Sequence, residues 1–196
     1  MSTYTYKAIV LKSTDYKEHD KRLTLFTQDS GVLSCIIKGV KRPQAKLKFA
    51  AEIFGFNEYQ LSEKNGFYSV ITATSIESLF NLTKDSDSFL AASSMLEVTE
   101  KVVRDTNAPE LFIKLLKAFK AILYSNKNPY LVAMLYTYYA LVFAGYDSTP
   151  EAIKKFDFDS LPSEVRYEPV TYLKEAISIL EQKLGVSLMV TVALCD

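Results

Sequence analysis

Cysteine and histidine are scarce in this chain of 196 residues, which excludes several kinds of site. The chain has two cysteines, Cys35 and Cys195, and one histidine, His19. Two widely separated cysteines do not form a disulfide framework, and without a CxxC pair they do not predict structural zinc. A single imidazole also gives a cysteine nucleophile little choice of base. We therefore expect no metal site and no catalytic residues.

Long hydrophobic runs are missing too. The longest, residues 131–144, has fourteen residues and is interrupted by Thr137, so it is too short to span a bilayer and predicts a buried helix. The opening residues lack the apolar core of a signal peptide. The sequence thus predicts a protein of the reducing cytoplasm with no membrane contact.

Motifs for nucleotide chemistry are absent as well. The sequence has no Walker loop, dinucleotide fingerprint or nucleophile elbow, so we expect no enzyme activity and no cofactor.

Carboxylates flank His19 in residues 15–20 and could bind a metal. Consecutive side chains point in different directions, however, so a solvated loop is the favoured interpretation.

The first eighty residues have the pattern of five short strands. The predicted strands are residues 4–11, 22–27, 32–37, 54–61 and 67–74. Asn65-Gly66 lies between the last two and is a strong hairpin signal. Five short strands with tight turns predict a small barrel or sandwich, which can bind nucleic acid but also other ligands.

Residues 81–196 have the pattern of helices. N-cap candidates at residues 85–88 precede an apolar stripe of Phe89, Ala92, Leu96 and Val103. Pro109, Pro129 and Pro169 open three further helices, and Gly145 and Gly185 end the last two of these. We predict an α+β protein of two domains, a β-barrel at 1–80 and an all-α helical bundle at 81–196, with the boundary near residues 81–87.

The most distinctive local feature is a basic loop after the third predicted strand. Residues 38–48 contain no acidic residue, and Gly39 and Pro43 interrupt the run. Residues 1–80 carry eleven Lys and Arg against eight Asp and Glu. The loop is either a solvated surface or a site for phosphates. Its cations are the candidate DNA-binding residues: Lys38, Lys41, Arg42, Lys46 and Lys48.

Two other sets of residues could serve a nucleic-acid site. Aromatic residues are frequent among the predicted strands, where some could stack on bases but most are expected in the core: Tyr4, Tyr6, Phe54, Phe56, Tyr59, Phe67 and Tyr68. A lysine stripe, Lys114, Lys117 and Lys120, lies opposite the apolar face of its predicted helix. A solvated face is the favoured interpretation of that stripe.

The order of short motifs over the first forty residues resembles the RecO family. The matching segments are Ala8-Ile9-Val10-Leu11, Asp15-Tyr16-Lys17-Glu18-His19-Asp20, Leu23-Thr24-Leu25-Phe26-Thr27, Gly31-Val32-Leu33-Ser34 and Lys38-Gly39-Val40-Lys41-Arg42-Pro43. Phe143-Ala144-Gly145-Tyr146 and residues 177–194 resemble later parts of the family more loosely.

The resemblance implies a five-stranded OB-fold barrel followed by a helical domain. It implies a bacterial, nucleoid-associated mediator of DNA repair and recombination. Such a protein binds single- and double-stranded DNA and anneals complementary strands. With RecR it helps to load RecA onto DNA coated by single-strand binding protein. Among the basic residues, the resemblance covers Lys38, Lys41 and Arg42, whereas Lys46 and Lys48 are candidates by charge alone.

The sequence departs from the family at one notable place. Many members carry a four-cysteine zinc site after the helix end matched by Gly145-Tyr146, but residues 147–166 contain no cysteine. Two alternatives stay open, an OB-type module that binds RNA or a protein, and an enzyme such as a nuclease or transferase. Competition between single-stranded DNA, RNA and duplex tests the first, and a metal-dependent cleavage assay tests the second.

Overall fold

Five strands close into a barrel in the computed structural model of the chain, which describes residues 2–103, 106–147, 149–162 and 169–189. The strands are β1 (Ser2–Tyr16), β2 (Asp20–Thr27), β3 (Gly31–Ile37), β4 (Gly55–Lys64) and β5 (Phe67–Ser78). Their order around the barrel is β1-β2-β3-β5-β4, and only β3 and β5 are parallel. This is the OB-fold, so the predicted fold class is confirmed.

Strand β1 is much longer than its apolar segment. Its first half pairs with β4 from Ser2 to Ile9, and its second half pairs with β2 from Ala8 to Tyr16. A shift of register between Val10 and Lys12 marks a bulge, which bends a strand and increases its twist. The bend lets one strand contribute to both sides of the closed barrel.

The barrel is filled by alternate side chains of its strands. Val10, Leu23, Leu25, Ile37 and Leu61 are among the buried residues of this core. A 3₁₀ turn, Lys48–Ala51, adds Ala50 and Ala51 to the same cluster.

Tyr59 ties this turn to the barrel. Its side chain is fully buried, and its Oη donates a hydrogen bond to the carbonyl oxygen of Ala50 at 2.7 Å. The same hydroxyl accepts a hydrogen bond from Nδ2 of Asn57 at 2.9 Å. Because no water replaces these partners in a closed core, both bonds stabilise the position of the turn.

We expect Tyr59→Phe to destabilise the barrel by roughly 1–3 kcal/mol, because the carbonyl of Ala50 and the amide of Asn57 lose a partner while buried. Urea unfolding followed by tyrosine near-ultraviolet circular dichroism measures the change. Tyr4→Phe is the matched control, since the Tyr4 side chain is 41% exposed. Equal midpoints for the two variants would contradict the assignment.

The first compact unit comprises Met1–Phe80 together with Val103–Pro109. The later segment approaches the turn between β2 and β3 closely. A Cβ at Gly31 would lie 2.5 Å from the carbonyl oxygen of Thr106, and the φ of Gly31 is +67°. Glycine is therefore required there both by the backbone conformation and by the close approach.

The second compact unit comprises Asn81–Val102 and Glu110–Asp196. The chain forms helices α1 (Ser86–Val103), α2 (Pro109–Tyr124), α3 (Pro129–Phe143), α4 (Glu151–Lys154) and α5 (Pro169–Leu184). The proline-initiated helices begin where the sequence predicts. Phe89 differs from its predicted place in the apolar stripe, since 37% of its side chain is exposed.

Helix α3 lies at the centre of the second unit. It is buried on nearly every side, and it packs against α5, where Oη of Tyr138 donates to the carbonyl oxygen of Tyr172 at 3.2 Å. Oδ1 of Asn128 caps its start by accepting from the backbone N–H of Tyr130 and Leu131. The predicted buried helix is confirmed.

Among the described residues no helix is both long enough and apolar enough to cross a membrane. Cys195 and the end of the family-like segment 177–194 lie outside the described residues. The functional division into a nucleic-acid-binding part at 1–80 and a helical part at 81–196 stays a prediction.

Candidate nucleic-acid interface

The basic loop connects β3 to the 3₁₀ turn and lies on the surface of the barrel. All five candidate cations, Lys38, Lys41, Arg42, Lys46 and Lys48, are exposed. Two turns give the loop its shape, with hydrogen bonds from the N–H of Arg42 to the carbonyl of Gly39 and from the N–H of Ala45 to the carbonyl of Arg42. The loop thus places five positive charges on one ordered segment.

The turn between β1 and β2 holds this loop in place. The backbone N–H of Lys41 donates to the carbonyl of His19 at 3.0 Å, and that of Gly39 donates to Oδ1 of Asp20 at 2.8 Å. Nζ of Lys41 also lies 2.6 Å from Oδ2 of Asp15. Asp15 and Asp20, in the strands that flank this turn, therefore anchor the basic loop.

The five cations differ in how available they are. Lys41 is paired with Asp15, and Nζ of Lys48 donates to the carbonyl of Pro43 at 2.8 Å. Within the part of the chain that the structure describes, the charged ends of Lys38, Arg42 and Lys46 have no hydrogen bond or ion pair. These three cations can bind phosphates directly, whereas Lys41 can do so only after its ion pair with Asp15 breaks.

The hydrogen bond from Lys41 lowers the pKa of Asp15 below its ordinary value, although desolvation acts in the opposite direction. A group with a depressed pKa gives up its interaction only as the pH falls through that pKa. Asp15 therefore stays ionised at neutral pH, and the pair with Lys41 persists there.

His19 does not belong to a metal cluster in the described residues. Its Nε2 lies 3.7 Å from Oε1 of Glu18, and its side chain is 44% exposed. No group of three or more His, Cys, Asp or Glu side chains converges anywhere in residues 2–103, 106–147, 149–162 and 169–189. Burial raises the pKa of the Cys35 thiol to about 12, so this cysteine is neutral and inert at ordinary pH.

The aromatic candidates separate into core and surface residues. Phe54 and Tyr59 are fully buried in the first unit. The rings of Tyr4 and Tyr6 stack at 6.1 Å, and Phe67 is 79% exposed at the β4–β5 hairpin. The expectation that most aromatics serve the core therefore does not extend to Phe67.

A groove on the barrel surface adjoins Phe67 and has a volume of about 360 Å³. It is lined by Tyr16, Arg22, Ser34, Cys35, Ile36, Gly66, Phe67 and Tyr68. Sequence reasoning missed Tyr16 and Arg22, because only the strand register brings them beside the β4–β5 turn. The sequence indicates Arg22 only as a cation at an outward position of a strand, a feature that is too common to predict a binding site.

The lysine stripe of α2 is only partly a solvated face. Lys117 and Lys120 are exposed, but Nζ of Lys114 lies 3.9 Å from the ring centroid of Tyr139. Lys114 therefore packs over an aromatic ring within the second unit.

The barrel topology defines an OB-fold domain, a class whose known members bind oligonucleotides or oligosaccharides on a five-stranded barrel. Comparison with known proteins narrows this class. Residues 1–79 match the family described as "Recombination protein O N terminal".

Several proteins named DNA repair protein RecO are similar to this chain. The protein of Heliobacterium modesticaldum is 35% identical over 116 residues, covering 59% of this chain and 42% of the relative. That of Clostridium novyi is 32% identical over 120 residues, covering 61% and 47%. That of Desulfitobacterium hafniense is 30% identical over 147 residues, covering 74% and 53%. The match of residues 1–79 and these relatives support the RecO family, and the chain spans about half the length of these relatives.

Proposed function

We propose that this chain is a mediator of DNA repair and recombination that binds DNA through its OB-fold barrel. The observation that carries the proposal is the basic loop, where exposed cations stand on an ordered segment free of acidic residues. Such a surface neutralises phosphates without reading base edges. The family match of the barrel supports the same assignment.

The resemblance to the RecO family extends the proposal to specific activities. The chain binds single- and double-stranded DNA, anneals complementary strands, and acts with RecR to load RecA onto DNA coated by single-strand binding protein. It works in the bacterial cytoplasm at the nucleoid and catalyses no covalent chemistry. The alternative function is that of an OB-fold module that binds RNA or a protein. Such a module has the same barrel, but it would bind RNA or a protein more tightly than DNA.

A binding titration across salt concentrations tests the proposal. Fluorescence anisotropy with labelled oligo-dT should give an affinity that depends weakly on base sequence and strongly on salt. If Lys41 exchanges Asp15 for a phosphate and joins the three unpaired cations, and each of the four displaces one counterion, the logarithmic salt slope is about −2.8 for a single strand. Competition with RNA and duplex of equal length identifies the preferred ligand. A slope near zero, or a strong preference for RNA, would contradict the proposal.

The pair between Asp15 and Lys41 leads to a second expectation. Phosphate must compete with the carboxylate of Asp15 for Lys41, so Asp15→Asn should strengthen binding to oligo-dT by about two- to fivefold at low salt. Asp29→Asn is the matched control, because it removes the same charge from the exposed turn between β2 and β3. If both variants strengthen binding to oligo-dT by the same factor, the effect comes from net charge alone, and Asp15 does not compete with phosphate for Lys41.

A further inference from the structure

The groove beside the β4–β5 hairpin has a built aromatic wall. Phe67 follows directly after a tight turn in which Asn65 and Gly66 have φ of +53° and +79°. Oε1 of Glu63 accepts a hydrogen bond from the N–H of Gly66 at 2.7 Å, which fixes that turn. The turn thus holds the ring of Phe67 at an exposed position, where its apolar surface is in contact with water.

One cation, Arg22, lines the groove on strand β2, across β3 from the hairpin that carries Phe67. The Cζ of Arg22 lies 5.0 Å from the ring centroid of Tyr16, and Nζ of Lys17 lies 5.5 Å from it. Arg22 is exposed and pairs in register with Ile36, which pairs with Ser69. The groove therefore combines three aromatic residues, Tyr16, Phe67 and Tyr68, with one cation, Arg22, over the short seam between β3 and β5.

We propose that this groove takes an unpaired nucleobase, which stacks on Phe67 while Arg22 meets the adjoining phosphate. The inference rests on the proposed function and assigns the base-contacting part of the site, which the basic loop does not supply. The groove volume of about 360 Å³ falls in the range of small-ligand sites. Aromatic rings recognise either bases or sugars in OB-folds, and the cation of the groove, Arg22, favours the ligand that carries phosphate.

The basic loop and the groove make separable contributions. Phosphates on the loop provide binding that depends on salt, whereas stacking on Phe67 adds affinity that depends on the presence of a base. A duplex keeps its bases stacked inside, so the groove gives single strands an advantage over duplex. We therefore expect the barrel to bind both forms of DNA and to prefer the unpaired one.

The sequence contains no tryptophan, so Phe67→Trp creates a single fluorescent reporter in the groove. Its emission should be quenched when oligo-dT binds. Ile71→Trp is the control, because Ile71 is 50% exposed on the same strand and does not line the groove. Quenching of the reporter at position 67 but not at 71 supports the inference, and equal responses overturn it.

Phe67→Ala tests the energetic role. The variant should bind oligo-dT at least about fivefold more weakly than the unmodified protein, with an unchanged salt slope. It should bind an abasic oligonucleotide of equal length as the unmodified protein does, since no phosphate contact is removed. Phe67→Trp should restore the preference for oligo-dT over the abasic strand.

The outcomes separate this inference from the proposed function. If the unmodified protein binds oligo-dT but Phe67→Ala binds it equally well, the groove assignment is wrong and the proposed function stands. An equal loss on oligo-dT and on the abasic strand also overturns the groove assignment, because it shows a general change in the barrel. If the unmodified protein binds neither strand, both the function and the groove assignment fail.

Discussion

Leu135→Ala should lower the free energy of unfolding of the helical unit by about 2–5 kcal/mol. The side chain of Leu135 is 2% exposed, and its neighbours Met134, Tyr136 and Thr137 are equally buried. Removing three carbon atoms there loses the transfer free energy of the side chain and leaves a cavity. Because α3 is surrounded by protein, the packing can relax only in part.

Urea unfolding followed by circular dichroism at 222 nm reports on the helices and measures this loss. Val142→Ala is the matched control on the same helix, since the Val142 side chain is 48% exposed. Its expected change is under about 0.5 kcal/mol. If Leu135→Ala unfolds at the same urea concentration as the control, α3 is not the centre of the helical unit.

The helices could be predicted because their signals are local. Asn128 caps α3, a nearly continuous apolar run fills it, and Gly145 follows with a φ of +86°. Each of these features involves residues within a few positions of one another. The structure therefore places the start of α3 where the sequence does.

The strand ends could not be predicted because they depend on pairing between distant segments. The polar ends of β1 lack an apolar pattern, yet Ser2 pairs with Glu63 and Tyr16 pairs with Asp20. Likewise the 3₁₀ turn at Lys48–Ala51 is too short for any periodicity. Its position depends on the hydroxyl of Tyr59, a contact that no local pattern indicates.

The candidate site also has parts that local sequence signals predict and parts that depend on contacts between distant segments. Charge and turn residues predict an exposed basic loop, and the structure places all five cations at the surface. The pairing of Lys41 with Asp15 joins residues 26 positions apart, so only the fold reveals it. Arg22 and Phe67 line the same groove only because of the register of three strands, β2, β3 and β5.

The double change Lys41→Ala with Arg42→Ala should weaken binding to oligo-dT roughly tenfold or more at moderate salt and reduce the salt slope by about 1.4. Each residue that neutralises one phosphate of a single strand contributes about 0.7 to that slope. Arg42→Ala alone should account for about half, and it leaves the pair between Asp15 and Lys41 intact. Annealing of complementary strands should slow in parallel, because it needs both strands held by their phosphates.

Two controls decide whether the loop is the site. The charge-matched control is Lys117→Ala with Lys174→Ala, which removes two exposed lysines from α2 and α5. The urea midpoint of the loop variant should stay unchanged, since exposed loop substitutions rarely affect stability. If the helical pair loses affinity and the loop pair does not, DNA binds to the helical unit. If both pairs lose affinity equally, binding follows net charge, and the ordered loop with its anchors at Asp15 and Asp20 has no special part in it.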